Sequence, residues 1–166
     1  MARKWWTLLA VCTGVFMLLL DITIVNVALP DIQHAFNASL ADLQWVIDAY
    51  ALTLAALLLT AGSVADLAGR RLVFAAGIVV FTFGSALCGF ASGATFLALA
   101  RALQGIGGAI MFATSLALLA DAFEPRERGA AFGVFGAVTG IAVAVGPVAS
   151  GNRAGPSPAG LIGPAL

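Results

Sequence analysis

Residues 18–30 read LLLDITIVNVALP and set Asp21, Thr23 and Asn26 inside an apolar run that begins at Trp5. The run exceeds the ~20 apolar residues that a membrane-spanning helix needs. A carboxylate at the centre of such a helix costs about 3 kcal/mol or more, so it faces a bundle interior or a water-filled path rather than lipid. A soluble core helix with one aspartate near its end is the competing reading. The length and apolarity of the run argue against it.

Composition agrees. The chain has 166 residues, 61% hydrophobic and 10% charged, with a mean hydropathy of +1.05. Soluble domains carry about 25% charged residues, so this is the composition of a polytopic membrane protein. The formal net charge is zero, and no basic stripe interleaved with aromatics offers a nucleic-acid footprint. Cys12 and Cys88 lie in apolar runs without CxxC spacing, as buried free thiols do, and indicate neither metal nor redox work. His34, the only histidine, reads as a surface residue of an outer loop. No HExxH, GxSxG or phosphate-cradling Gly-Lys loop is present, so the chain is not read as an enzyme. Residues 9–12, LAVC, have the outline of a lipoprotein cleavage box. The apolar segment before them is too short, however, and the run continues well past Cys12. Trp5 and Trp6 after Arg3 and Lys4 read instead as an interfacial anchor on the cytoplasmic side.

In chain order the sequence predicts about five transmembrane helices. Helix 1 covers about 5–29 and stops at Pro30, which cannot continue it. A short polar connection over 31–38 follows, and Ser39 with Asp42 three residues on makes an N-cap for helix 2. Helix 2 covers about 41–64 and contains Asp48. A tight polar turn, ADLAGRR over 65–71, leads to helix 3 at about 72–90. Helix 4 covers about 95–120 and carries Arg101 and Gln104. A charged connection broken by Pro125 precedes helix 5 at about 129–149. Residues 151–166, GNRAGPSPAGLIGPAL, form a Pro/Gly-rich tail too short and broken to span.

If these helices alternate, Arg3 and Lys4, Arg70 and Arg71, and Arg126 and Arg128 share one side, while the opposite loops lack Lys and Arg. The positive-inside rule then sets the N-terminus in the cytoplasm, and the expected location is the cell's inner (plasma) membrane. Gly105 and Gly108 follow Arg101 at helical spacing and give helix 4 one small, polar face. Gly129, Gly133, Gly136 and Gly140 repeat at small-xxx-small spacing on helix 5, which reads chiefly as close helix packing. A rise of ~1.5 Å per residue sets Asp21, Asp48 and Arg101 at roughly 13, 10 and 9 Å from the outer ends of their helices. Three charged groups on three helices thus fall in one layer. A buried guanidinium keeps its charge and demands a partner, and an acid that meets it in a dry layer is a candidate for proton exchange. The alternative is a static ion pair joining helices 1 and 4.

These motifs resemble the N-terminal part of the major facilitator superfamily, in its fourteen-helix drug:proton antiporter branch. Residues 20–30, LDITIVNVALP, match that branch's first-helix motif, and residues 62–71, GSVADLAGRR, resemble the loop motif between helices 2 and 3. Arg101, Gln104, Gly105 and Gly108 resemble the helix 4 motif; Gly140, Gly146 and Pro147 resemble the antiporter motif of helix 5. The resemblance implies an all-α membrane fold, the N-terminal bundle of a major facilitator. It implies proton coupling through Asp21, Arg101 and Gln104, with Asp48 and Asn26 near the substrate or cation. Gly62, Asp66, Gly69, Arg70 and Arg71 would form a conformational lock, weakened by Leu67 where the family has a basic residue. Gly140, Gly146 and Pro147 would shape helix 5 and limit leakage. No metal and no cofactor beyond the proton gradient is implied.

The expected function is that of an N-terminal fragment of a proton-coupled multidrug efflux transporter. Its partners are the lipid bilayer and, if missing helices complete the cavity, amphiphilic cationic small molecules. The alternative is a non-transporting membrane remnant, or a regulatory or packing subunit, derived from the same fold. A solute importer on this fold is disfavoured by the Gly-Pro motif of helix 5.

Overall fold

The computed structural model describes residues 2–151, which form five helices: α1 (Ala2–Phe36), α2 (Leu40–Ala68), α3 (Arg70–Gly89), α4 (Ala94–Ala122) and α5 (Arg128–Gly151). No strand occurs among the described residues. Four of the helices, α1 to α4, are long and apolar enough to cross a membrane, and the described apolar stretch of α5, Arg128–Ala144, is shorter. The tail beyond Gly151 lies outside the described residues.

α4 is the hub. It packs along α2 and α3 and touches α1, while α5 packs chiefly on α1. Close approach is possible because α4 presents glycine on two faces. A Cβ at Gly107 would lie 2.7 Å from the Cα of Phe81 on α3, and one at Gly105 would lie 2.6 Å from the carbonyl oxygen of Tyr50 on α2. Small residues let membrane helices meet backbone to backbone, where dispersion contacts replace the absent hydrophobic drive. α1 contributes Leu8, Val11, Val15 and Leu18 to the core at helical spacing, and this buried stripe leads one turn further to Asp21.

The structure corrects the sequence reading in three places. α1 does not stop before Pro30 but carries it inside the helix and runs on to Phe36. Membrane helices tolerate such a proline because local adjustments and neighbours satisfy the freed backbone groups. Asn37, at φ +47°, makes the turn instead, and His34 therefore stands exposed in the last turn of α1 rather than in a loop. Next, α2 extends through Ala65–Ala68, all residues compatible with a helix, so the expected polar turn shrinks to Gly69 alone at φ +96°. Only glycine enters that region without strain. The cap foreseen at Ser39 is present: its hydroxyl accepts from the Asp42 N–H at 3.2 Å, and Asp42 accepts the Ser39 N–H at 2.9 Å.

The third correction concerns α5. A Cβ at Gly129, Gly133, Gly136 or Gly140 would meet nothing within 4 Å. The small-residue stripe is thus an open face among the described residues, not a packed one, because α5 meets α1 along its other side. Gly146 and Pro147 belong to α5, but their side-chain surroundings lie outside the described residues.

Candidate functional site: a buried Asp–Arg–Gln cluster

α4 turns Arg101 and Gln104, one helical turn apart, toward Asp21 of α1. Arg101 is 3% exposed and Gln104 fully buried, while the Asp21 side chain keeps 18% of its surface. Both carboxylate oxygens are engaged. Arg101 Nη1 donates to Asp21 Oδ2, and Gln104 Nε2 donates to Oδ1 at 2.7 Å. Arg101 Nη1 also donates to Gln104 Oε1 at 2.8 Å, closing a triangle. α3 supports it: the Cys88 thiol lies 3.6 Å from Gln104 Oε1. Gly84 lets the α4 backbone come close, since a Cβ there would lie 2.8 Å from Gln104 Cα. In a dry setting such charge-assisted bonds are strong, and each member is costly to leave unpaired.

α2 contributes an aromatic face. The Arg101 guanidinium carbon lies 4.1 Å from the ring centroid of Tyr50. Asp48, expected in the same charged layer, does not join the cluster. It is half-buried and makes no hydrogen bond or ion pair among the described residues. Two residues span ~200° around a helix of 3.6 residues per turn, so turning Tyr50 toward Arg101 turns Asp48 away. Asn26 comes near without touching the triangle. Its amide donates to the Ile22 carbonyl at 3.0 Å, and with Arg101 and Tyr50 it lines a cavity of about 250 Å³ among α1, α2 and α4.

The loop-motif residues gather at the opposite ends of α2 and α4. Arg70 donates to Asp66 Oδ1 through Nε at 3.0 Å and Nη2 at 2.8 Å. Its Nη1 reaches Asp121 Oδ2 at 2.7 Å and the Ala117 carbonyl at 3.4 Å. One side chain thus staples the end of α2 and the start of α3 to the end of α4. Asp66, Gly69, Arg70, Arg71 and Asp121 line a cleft of about 660 Å³. Gly62 stands in open space, and Leu67 is 90% exposed. Nearby, Lys4 pairs with Glu127 at 2.7 Å and lies over the Phe123 ring, which Trp5 meets edge-on. The start of α1 is thereby fastened to the α4–α5 connection.

Sequence reasoning missed Tyr50, Cys88, Gly84 and Asp121 as parts of these sites. Asp121 alone carried a signal, an acid opening the charged connection after helix 4. The others sit unmarked in apolar runs.

The Major Facilitator Superfamily family model matches residues 11–155. The chain is 47% identical over 150 residues to the puromycin resistance protein pur8 of Streptomyces alboniger, covering 90% of this chain and 30% of that protein. It is 44% identical over 146 residues to the multidrug resistance protein Stp of Mycobacterium tuberculosis, covering 87% and 27%. Similarity also extends to the riboflavin transporter RibZ of Clostridioides difficile, 38% identical over 151 residues, covering 91% and 33%. The chain therefore spans about a third of the length of the curated relatives it matches. With long apolar helices and a family match over most of its length, this membrane protein belongs to the Major Facilitator Superfamily of transporters.

Proposed function

We propose that the chain forms the N-terminal bundle of a proton-coupled exporter of amphiphilic, cationic compounds, working by alternating access. The observation that carries this reading is the Asp21–Arg101–Gln104 triangle, an acid paired inside the bundle with a guanidinium only 3% exposed. The ionised carboxylate accepts from both neighbours. A proton on Oδ1 would set an O–H against the Gln104 N–H, so the amide must turn and offer its oxygen instead. That turn takes Oε1 away from Arg101 Nη1. Loading Asp21 therefore rearranges all three groups, which is the coupling an antiporter needs.

The remaining roles follow the same reading. Asn26 borders the cavity beside Arg101, and Asp48, free of partners among the described residues, accepts cations. Gly62, Asp66, Gly69, Arg70 and Arg71 act as a conformational lock, with Asp121 as an added acceptor for Arg70. Gly140, Gly146 and Pro147 shape α5 against leakage. The N-terminus lies in the cytoplasm and the bundle in the plasma membrane. The names of the puromycin and multidrug resistance relatives favour export of drugs; the riboflavin transporter keeps a solute carrier as the second reading.

A chimera tests the proposal, with residues 2–151 replacing the matching portion of the puromycin resistance relative. In energised vesicles it should extrude a cationic dye and stop when the proton gradient collapses. The Asp21→Asn chimera should insert equally well and extrude none. Gradient-independent extrusion, or full extrusion by the Asn form, would overturn the reading.

A further inference from the structure

Tyr50 has no assigned task, yet its position against Arg101 is specific. It is 4% exposed, its ring centroid lies 4.1 Å from the Arg101 guanidinium carbon, and its buried hydroxyl makes no hydrogen bond among the described residues. The contact is therefore made by the ring face, and the hydroxyl adds nothing to it. Gly105, one turn beyond Arg101, permits the approach: a Cβ there would lie 2.6 Å from the Tyr50 carbonyl oxygen and overlap the Thr53 hydroxyl.

Among the described residues Arg101 has one anionic partner, Asp21. The polar groups near the pair among the described residues are Gln104 from α4, Tyr50 from α2, Cys88 from α3 and, across the cavity, Asn26 from α1, and none of these is a carboxylate. When Asp21 takes a proton, the guanidinium keeps its charge and, at 3% exposure, stays largely shielded from solvent. An aromatic face attracts a cation without itself gaining or losing a proton. We infer that Tyr50 is a positioning residue whose ring serves as a second, proton-independent counter-group, holding Arg101 in place while Asp21 is neutral. In the transport cycle this rests on the proton-coupled reading; the holding of the charge does not.

The test needs no transport. Asp21→Asn mimics the neutral acid, and the purified 166-residue chain is unfolded reversibly in mixed micelles. Tyr50→Leu should lower the folding equilibrium constant about tenfold more in the Asp21→Asn background than in the native one, the size expected of a desolvated cation–ring contact. Tyr50→Phe should show no such coupling in either background. Additive effects of Tyr50→Leu and Asp21→Asn would overturn the inference, as would coupling by Tyr50→Phe. If the Leu/Asn double variant does not accumulate, adding Arg101→Met should restore it, because no charge remains to be sheltered. Failure to restore would reduce Tyr50 to packing and sink the inference. Loss of drug–proton coupling is read separately, in the Asp21→Asn chimera, so the two claims fail independently.

Discussion

At the scale of the residue, Arg101 is the most demanding group in the chain. It is nearly sealed from solvent, and its Nε makes no hydrogen bond among the described residues, so its stability rests on Asp21, Gln104 and the Tyr50 ring. Removing one member of a buried pair strands the other. Arg101→Ala should therefore cost about 3–5 kcal/mol, as elsewhere for buried pairs. Asp21→Asn, which keeps shape and one acceptor, should cost clearly less. Equilibrium unfolding of the purified variants checks the order; an Arg101→Ala form as stable as the native chain would contradict the burial argument. Asp21, Arg101 and Gln104 were legible from sequence because a charge or amide stands out in an apolar run. Tyr50, Gly84 and Cys88 were not, since aromatic, small and thiol side chains look like ordinary core until the helices are placed side by side. Depth along a helix can be counted from sequence, but which way the helix faces depends on its neighbours, so Asp48 stands outside the triangle that Asp21, Arg101 and Gln104 form.

At the scale of the element, glycine divides the helices into packed and open faces. Gly107→Ala drives a Cβ to 2.7 Å from the Phe81 Cα and 2.9 Å from the Gly77 carbonyl oxygen. Backbone atoms cannot swing aside as a side chain would, so a loss of about 1–3 kcal/mol is expected from overpacking. Gly136→Ala meets nothing within 4 Å and should be neutral or gain up to about 1 kcal/mol in helix propensity. Thermal melts of the two variants in detergent should separate in opposite directions; similar losses would mean that the α5 stripe is packed after all. Hydropathy made the helices readable, and the Ser39–Asp42 cap was readable from two residue types at fixed spacing. The ends failed where a breaker was overvalued at Pro30 and undervalued at Gly69. Proline is weaker punctuation in a membrane helix, whereas a glycine at positive φ needs only one residue to turn the chain.

At the scale of the whole molecule, α1, α2 and α4 surround the Asp21 cluster, and the Arg70 staple closes the other end of α2, α3 and α4. The basic residues sort to alternate connections. A reporter enzyme fused after Arg71 or Arg128 should therefore report the cytoplasm, and one fused after Asn37 the exterior; a reversed pattern at any point would contradict the proposed orientation. Expressed by itself in a drug-sensitive host, the chain should give no resistance to cationic dyes, because it spans about a third of its transporter relatives and supplies only part of a cavity wall. Robust efflux by the chain alone would contradict that expectation. Family and fold were legible at this scale from four ordered motifs, whereas those motifs name no substrate.

Proton coupling through Asp21 is read out by drug-driven proton release. The purified chimera with the puromycin resistance relative, held in weakly buffered micelles with a pH indicator, should release protons when a cationic drug is added. The Asp21→Asn form should bind drug and release none. Undiminished proton release from that form would make Asp21 structural glue between α1 and α4 and place the coupling elsewhere.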